Sequence, residues 1–376
     1  MRTRPVWAEV DLNNIIHNYN QVRRLVGSAI RVMGVVKANA YGHGAVEVAF
    51  ALDEAGADCF GVAIMNEAVQ LREAGVRKPV MVLGWTPACD FERALKHEIT
   101  LTIFSLEEAE ELSRISLKND KKAFVHIKID TGMGRLGFRP DERGLEEAAR
   151  AARLPGLEAE GVFTHLARAD EADKTFTRLQ VNLFQDFVQE IEKKAGFKFK
   201  IKHAANSAAV IDHPEAYFDM VRPGIMLYGL KPSSEVNLGK VELRQALSLR
   251  AGVSFVKDVP ANVPISYGGR YVTPARSVIA SLPLGYADGY SRLLSGRAEV
   301  ICKGQRLPVV GRICMDQLMV NATALKTGIK QGDVVTLLGG DGDDFISADE
   351  LARILGTINY EVVCMISSRV PRVYRR

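Results

Sequence analysis

Val35-Val36-Lys37-Ala38-Asn39-Ala40-Tyr41-Gly42-His43-Gly44 joins an apolar, strand-like run to a lone lysine and then to a glycine-rich loop with one tyrosine. A lysine at the end of a buried strand sits where its charged form is disfavoured. Its pKa drifts down and its amine becomes a better nucleophile. Such an amine condenses with an aldehyde to a Schiff base. The small residues after it let the backbone approach a bulky ligand.

Outward from this stretch, short apolar runs alternate with helical periodicity. Strands are expected at Val32–Lys37, Cys59–Ala63, Pro79–Gly84, Thr100–Phe104, Phe124–Asp130, Ala159–His165, Ile201–Ala205 and Met220–Tyr228. Between them lie amphipathic patterns such as Leu106–Ser116, opened by the capping box Ser105-x-x-Glu108, and a long one from Lys174 to Lys194 that stops before Gly196. This alternation predicts an α/β fold with an N-terminal (β/α)8, TIM-like barrel. No helix clearly follows the last strand, and the amphipathic Leu12–Leu25 is available to take its place. After Gly229 the rhythm changes, and Lys231-Pro232-Ser233-Ser234 reads as a linker. Short β-rich runs follow at Ala246–Val256, Ser277–Leu284, Ala298–Cys302, Leu307–Ile313, Leu318–Asn321 and Asp333–Leu338, with one helix, Ala348–Leu355, behind a Ser347-x-x-Glu350 box. The expected division is a barrel over 1–232 and a C-terminal mainly-β domain over 233–376.

Composition narrows the class. The chain has 376 residues, 47% hydrophobic and 25% charged, with a formal net charge of +4, ordinary for a globular protein of two domains. The basic stretch Arg369 to Arg376 reads as a solvated end without the interleaved aromatics of a nucleic-acid binder. Five scattered cysteines, with no Cys-x-x-Cys pair, fit a reducing compartment. The start, Met1-Arg2-Thr3-Arg4-Pro5-Val6-Trp7-Ala8-Glu9, is basic, but Glu9 and Asp11 interrupt any signal-peptide core. No run is long and apolar enough to cross a bilayer. A cytoplasmic enzyme is expected, with no nucleic-acid or membrane partner.

Reactive residues fall at the C-terminal ends of the predicted barrel strands, where such barrels do their chemistry. Lys37 ends the first; Lys128 and Asp130 the fifth; His165 the sixth. His203 lies in the seventh, with Asn206 and Ser207 beyond, and Arg222 and Gly224 lie in the eighth. In the fifth strand His126, Lys128 and Asp130 alternate with Val125, Ile127 and Ile129, which sends the polar set toward the barrel interior. A lysine there needs a negative partner, either Asp130 or a chemical modification of the lysine itself. Gly132-Met133-Gly134-Arg135-Leu136-Gly137 matches G-x-G-x-x-G, but the half-polar strand before it and Pro140 after it argue against a dinucleotide site. The acidic turn Gly340-Asp341-Gly342-Asp343-Asp344 lacks the glycine and glutamate of a calcium loop, no His/Cys cluster has zinc spacing, and no metal is expected.

Taken together, the chain resembles the alanine racemases, pyridoxal-phosphate enzymes built from a barrel and a β-domain. The resemblance rests on the Lys37 stretch; on Lys128-Ile129-Asp130-Thr131-Gly132-Met133-Gly134-Arg135-Leu136-Gly137; and on His203-Ala204-Ala205-Asn206-Ser207, Val221-Arg222-Pro223-Gly224-Ile225 and Ile265-Ser266-Tyr267-Gly268. Gly285-Tyr286-Ala287-Asp288-Gly289, Gly311-Arg312-Ile313-Cys314-Met315-Asp316 and Thr357-Ile358-Asn359-Tyr360-Glu361 complete it. It covers essentially the whole chain. It implies that Lys37 holds pyridoxal 5'-phosphate and acts as one catalytic base, with Tyr267 the opposing base. Tyr41, Ser207, Gly224, Ile225 and Tyr360 would bind the phosphate, His165 would pack beside the ring, and Arg222 would face the ring nitrogen, supported by His203. Arg135 and the backbone at Met315 would meet the substrate. Tyr286 and Arg292 match residues lining the substrate corridor, Asp316 belongs to the supporting set, and Lys128 matches a position carbamylated in some members.

The resemblance further implies interconversion of L- and D-alanine, D-alanine supply for cell-wall synthesis, and a head-to-tail homodimer with shared active sites. Arginine stays protonated and donates to a pyridine nitrogen without protonating it, so the ring is a weaker electron sink than it would be opposite a carboxylate. That disfavours an amino-acid decarboxylase of the same fold type, the nearest enzymatic alternative beside a racemase of broader specificity. A barrel that merely carries the cofactor has no need of Tyr267.

Overall fold

The computed structural model describes residues 4–376, so the basic opening Met1-Arg2-Thr3 lies outside the described residues. The chain divides into two compact units. One comprises Ile15–Ala40 with Ala45–Arg244; the other comprises the residues up to Asn14, Tyr41–Gly44 and Gln245–Arg376.

In the first unit eight parallel strands pair in sequence order, Arg31–Val35, Cys59–Val62, Val80–Val82, Ile99–Ile103, Ala123–Lys128, Leu157–Phe163 and Ile201–His203, with Met220–Val221 on the far side of the first. The seam between the seventh and eighth strands is bridged by Asp219 N–H to Lys202 O at 3.0 Å and Arg222 N–H to Ala205 O at 2.9 Å. Every strand predicted for the barrel is present, because strands covered on both faces show as apolar runs. Leu101, Ile103, Val125 and Ile127 are at most 1% exposed, and each such side chain contributes roughly 1.5–3 kcal/mol on burial. Met33, Met81, Phe163, Ile201 and Met220 form a cluster of buried side chains.

The helix Leu12–Val26 takes the place of the missing eighth helix. Its Asn18 Nδ2 donates to Leu227 O at 3.1 Å and Arg244 O at 2.8 Å, just past the last strand. Ser105 accepts from Glu108 N–H at the start of Leu106–Lys118, and Gly196, at φ 79°, ends Thr175–Ala195. The segment after the eighth strand stays packed on this unit. Ser233 Oγ donates to Asp170 O, and Glu235 Oε2 accepts from Ala172 N–H.

The second unit is a mainly antiparallel sheet, with the predicted strands present near their expected places. Strands at both ends of the chain were not anticipated. Val6–Asp11 pairs antiparallel with Leu247–Gly252 and parallel with Arg372–Arg375. The tail expected to be a solvated end is therefore a strand, and Arg375 Nη2 meets Glu9 Oε2 at 2.7 Å. The helix Asn359–Cys364 was also unforeseen. Ser347 caps Ala348–Leu355 as expected, accepting from Glu350 N–H.

Candidate active site

The reactive residues of the barrel unit gather at the strand ends, but the first strand stops sooner than expected. It closes at Val35, and Lys37 instead opens a left-handed helical turn. Ala38, Asn39, Ala40 and Tyr41 all have φ between 51° and 54°. That conformation costs an L-residue about 1–2 kcal/mol, so it needs outside support. Ala40 N–H donates to Val36 O at 2.8 Å. The Glu67 carboxylate clamps the entrance, taking Ala38 N–H at 2.6 Å and Ala63 N–H at 2.8 Å. Asn39 Oδ1 accepts from Ala45 N–H. The turn holds Lys37 half-buried at the rim.

Lys128, the last residue of the fifth strand, is 5% exposed. Burial, and then the Arg222 cation, push its ammonium down to about 7. Asp130 offsets this only in part, because its carboxylate is engaged elsewhere. Its Oδ1 accepts from the N–H of Gly132, Met133 and Gly134 at 3.1, 2.9 and 3.0 Å. Burial alone would raise the Asp130 carboxyl; these N–H groups and Lys128 outweigh it and hold it below its usual range. The G-x-G-x-x-G run is thus an anchored loop presenting Arg135. It is closed by Asp130 N–H to Phe138 O and Phe138 N–H to Lys128 O, and the next helix begins only at Glu142.

Arg222 follows the eighth strand and is 4% exposed. Its Nη1 lies 2.8 Å from His203 Nδ1, and its Nη2 donates to Thr164 O at 2.9 Å and Ala204 O at 3.0 Å. Burial lowers it to about 9, still charged at neutral pH. His165 Nδ1 is 3.4 Å from the same Nη2. Burial, followed by the Arg222, Arg135, Lys128 and Lys37 charges, holds His165 neutral. Burial and Arg222 do the same to His203, which stacks on Phe163 with ring centroids 4.7 Å apart. Ser207 opens the helix Ser207–Asp212, and its Oγ accepts from Gly224 N–H at 2.8 Å and Met226 N–H at 3.4 Å. Ile225 begins the turn that follows. Lys37, Lys128, Arg135, His165, His203, Ser207, Arg222, Gly224 and Ile225 thus lie at or just beyond the carboxyl ends of barrel strands.

In the second unit Tyr41 and Tyr360 have ring centroids 6.2 Å apart, and burial pushes the Tyr41 phenol up. Tyr267 is 69% exposed on a turn fixed by Ser266 at φ 66°, whose Oγ donates to Arg312 O at 2.6 Å. Tyr286 N–H donates to Cys314 O and Ala287 N–H to Met315 O, both at 3.1 Å, which joins Tyr286 to Met315. A side chain at Gly285 would strike the Cys314 and Met315 carbonyls. Arg270, then partial burial and Arg292, lower the Arg312 guanidinium, so these three form a cationic group. Asp316 is tied to Arg369 Nη2 at 2.7 Å.

Several contributors carried no sequence signal. Glu67 lies on a helix, and Gln180, which bonds Ala167 N–H, Thr131 Oγ1 and His165 O, lies on another. Helix-borne polar residues look like solvated faces until their neighbours are known.

Residues 10–232 match the family model "Alanine racemase, N-terminal domain" and residues 246–374 match "Alanine racemase, C-terminal domain". A curated alanine racemase of Methanococcus maripaludis is 48% identical over 374 residues, 100% of each chain. A solved alanine racemase from Clostridium difficile 630 superposes with a TM-score of 0.96 at 44% identity, covering 100% of this chain and 97% of that one. The structure of the Bartonella henselae alanine racemase with covalently bound pyridoxal phosphate superposes with a TM-score of 0.87 at 29% identity, covering 99% of both chains. The chain belongs to the alanine racemase family.

Proposed function

We propose that this protein interconverts L- and D-alanine using pyridoxal 5'-phosphate, and so supplies D-alanine for cell-wall synthesis. The observation that carries this reading is Arg222. It is a buried guanidinium fixed by His203, Thr164 and Ala204 at the place where a decarboxylase of this fold type would need a carboxylate.

The donor set suits the cofactor. Ser207 Oγ already accepts two N–H groups, so its own hydrogen is what it has to offer an anion. Gly224 and Ile225, with the phenols of Tyr41 and Tyr360, complete the phosphate ligands. Pyridoxal phosphate, when bound, supplies an aldehyde that captures an amino group and a ring that draws electrons from Cα. Lys37 offers the amine that holds that aldehyde and moves the α-proton on one face. Tyr267 moves it on the other, so neither base has to travel. Arg222 donates to the ring nitrogen and keeps its own proton. Neutral His165 packs beside the ring without adding charge. Arg135, held by the Asp130 loop, takes the substrate carboxylate together with the backbone at Met315, and Tyr286 and Arg292 line the approach. Lys128, as a neutral amine near pH 7, is suited to carbamylation.

In this reading residues 1–232 bind the cofactor and residues 233–376 supply Tyr267, in a cytoplasmic head-to-tail homodimer whose sites are shared. The test is incubation of the purified protein and cofactor with L-alanine in D2O. D-alanine carrying deuterium at Cα is expected, and Lys37→Ala abolishes it. Release of CO2 and ethylamine would replace this reading with a decarboxylase; no reaction with alanine but racemisation of larger amino acids would replace it with a racemase of different specificity.

A further inference from the structure

We propose that His126 and Glu160 are positioning residues that lock His203 into one tautomer and thereby fix the Arg222 guanidinium. The inference rests on the reading of Arg222 as the group facing the cofactor ring.

Guanidinium has only donors. With Arg222 Nη1 2.8 Å from His203 Nδ1, that nitrogen must hold a lone pair. The His203 proton therefore sits on Nε2, and the ring is neutral. Nε2 lies 2.7 Å from His126 Nδ1, which must in turn accept. The His126 proton is then on its own Nε2, 3.6 Å from Glu160 Oε1. Only this proton order satisfies every pair. An imidazolium at His203 would set N–H against N–H and place a second cation beside Arg222. The opposite His203 tautomer would lose the Arg222 bond, and would keep a bond to His126 only if that ring moved its own proton to Nδ1, away from Glu160.

The backbone is shaped for this chain of contacts. Along the fifth and sixth strands the register runs Val125 to Ala159 and then His126 to Gly161, leaving Glu160 as an extra residue. Bulges are rare between parallel strands, and they re-aim side chains. Here the bulge brings a carboxylate to the imidazole, while the Glu160 carbonyl stays satisfied by Lys200 N–H at 3.0 Å. Gly161 clears the room, since a Cβ there would run into the His126 ring. His126 is 3% exposed and His203 0%, so water does not supply alternative partners. The Glu160 side chain is 24% exposed. Arg222 at one end and a partly hydrated carboxylate at the other thus hold the proton order of two buried rings.

The test is ring-15N histidine NMR of the protein as purified, assigned with His126→Gln and run on wild type, Glu160→Gln and Glu160→Ala. Wild type should show the His126 and His203 protons on Nε2. Glu160→Gln, which keeps an acceptor, should retain those signals. Glu160→Ala should mix the tautomers of both rings and lower kcat for alanine racemisation three- to tenfold, with KM within twofold. A His203 proton on Nδ1 in wild type, or unchanged tautomers in Glu160→Ala, would overturn the proposal. So would mixed tautomers with unchanged kcat, which would reduce the pair to a structural contact. The tautomer readout needs no turnover, so it decides the proton order even if alanine proves not to be the substrate.

Discussion

Replacing Lys128 by methionine should make the protein more stable, and by an amount that depends on pH. The Lys128 ammonium is pushed from its ordinary 10.5 to about 7, first by burial and then by Arg222, with Arg135 adding to the effect and Asp130 opposing it. Between those two values the unfolded chain binds more protons than the folded one, so stability rises with pH across that window and the whole penalty is present below pH 7. At 1.36 kcal/mol for each tenfold in proton affinity, the penalty is roughly 4–5 kcal/mol at pH 6 and about 2 kcal/mol at pH 9. Methionine keeps the stem that packs against Phe163, whose ring centroid lies 5.3 Å from Nζ, and removes the charge. The gain of Lys128→Met in urea unfolding should therefore halve between pH 6 and pH 9 in CO2-free buffer, at fixed protein concentration and cofactor occupancy. Bicarbonate should stabilise wild type and leave the variant unmoved, because a carbamate needs the neutral amine and becomes an anion beside two arginines. A variant less stable than wild type at pH 6, or a gain independent of pH, would refute the reasoning.

Arg222→Glu should slow racemisation by at least tenfold and raise pyruvate formation from alanine, measured with lactate dehydrogenase, since a carboxylate would favour a protonated ring. Asp130→Ala removes the acceptor of three N–H groups. Charge-assisted bonds contribute about 1.5–3 kcal/mol each when buried and less at this half-exposed loop, so kcat/KM should fall about tenfold to a hundredfold, with the loop newly open to proteolysis. Mixing inactive Lys37→Ala and Tyr267→Ala proteins under subunit exchange should restore activity in a progress-curve assay. Demonstrated exchange without recovery would count against shared sites.

The barrel was legible because most of its strands are apolar on both faces, and the polar residues at their ends stood out by contrast. Lys128, His203 and Arg222 could be placed from that contrast alone. The Lys37 turn could not: nothing in Ala38-Asn39-Ala40 announces left-handed backbone, which depends on Glu67 reaching across from a helix. Asp130 was legible as a polar residue of the fifth strand but not as a loop anchor, since its partners are backbone N–H groups that any sequence possesses. Val6-Trp7-Ala8-Glu9-Val10-Asp11 shows the period-two alternation of a strand, with Val6, Ala8 and Val10 all buried. Its partners lie so far along the chain that the alternation gave no hint of where it belonged. Arg372–Arg375 is short and basic, and only that pairing makes it a strand.

The position of Val6–Asp11, between Leu247–Gly252 and Arg372–Arg375, bears on how the molecule is made. During synthesis that strand emerges early and waits for neighbours whose residue numbers are roughly 240 and 360 higher, whereas nearly all the barrel's pairings join consecutive strands. The barrel is therefore free to form on the ribosome while the sheet stays open, its first strand a bare edge in the interim. Loss of the last few residues would leave a complete barrel beside an unsealed sheet, a product prone to sticking to its own kind.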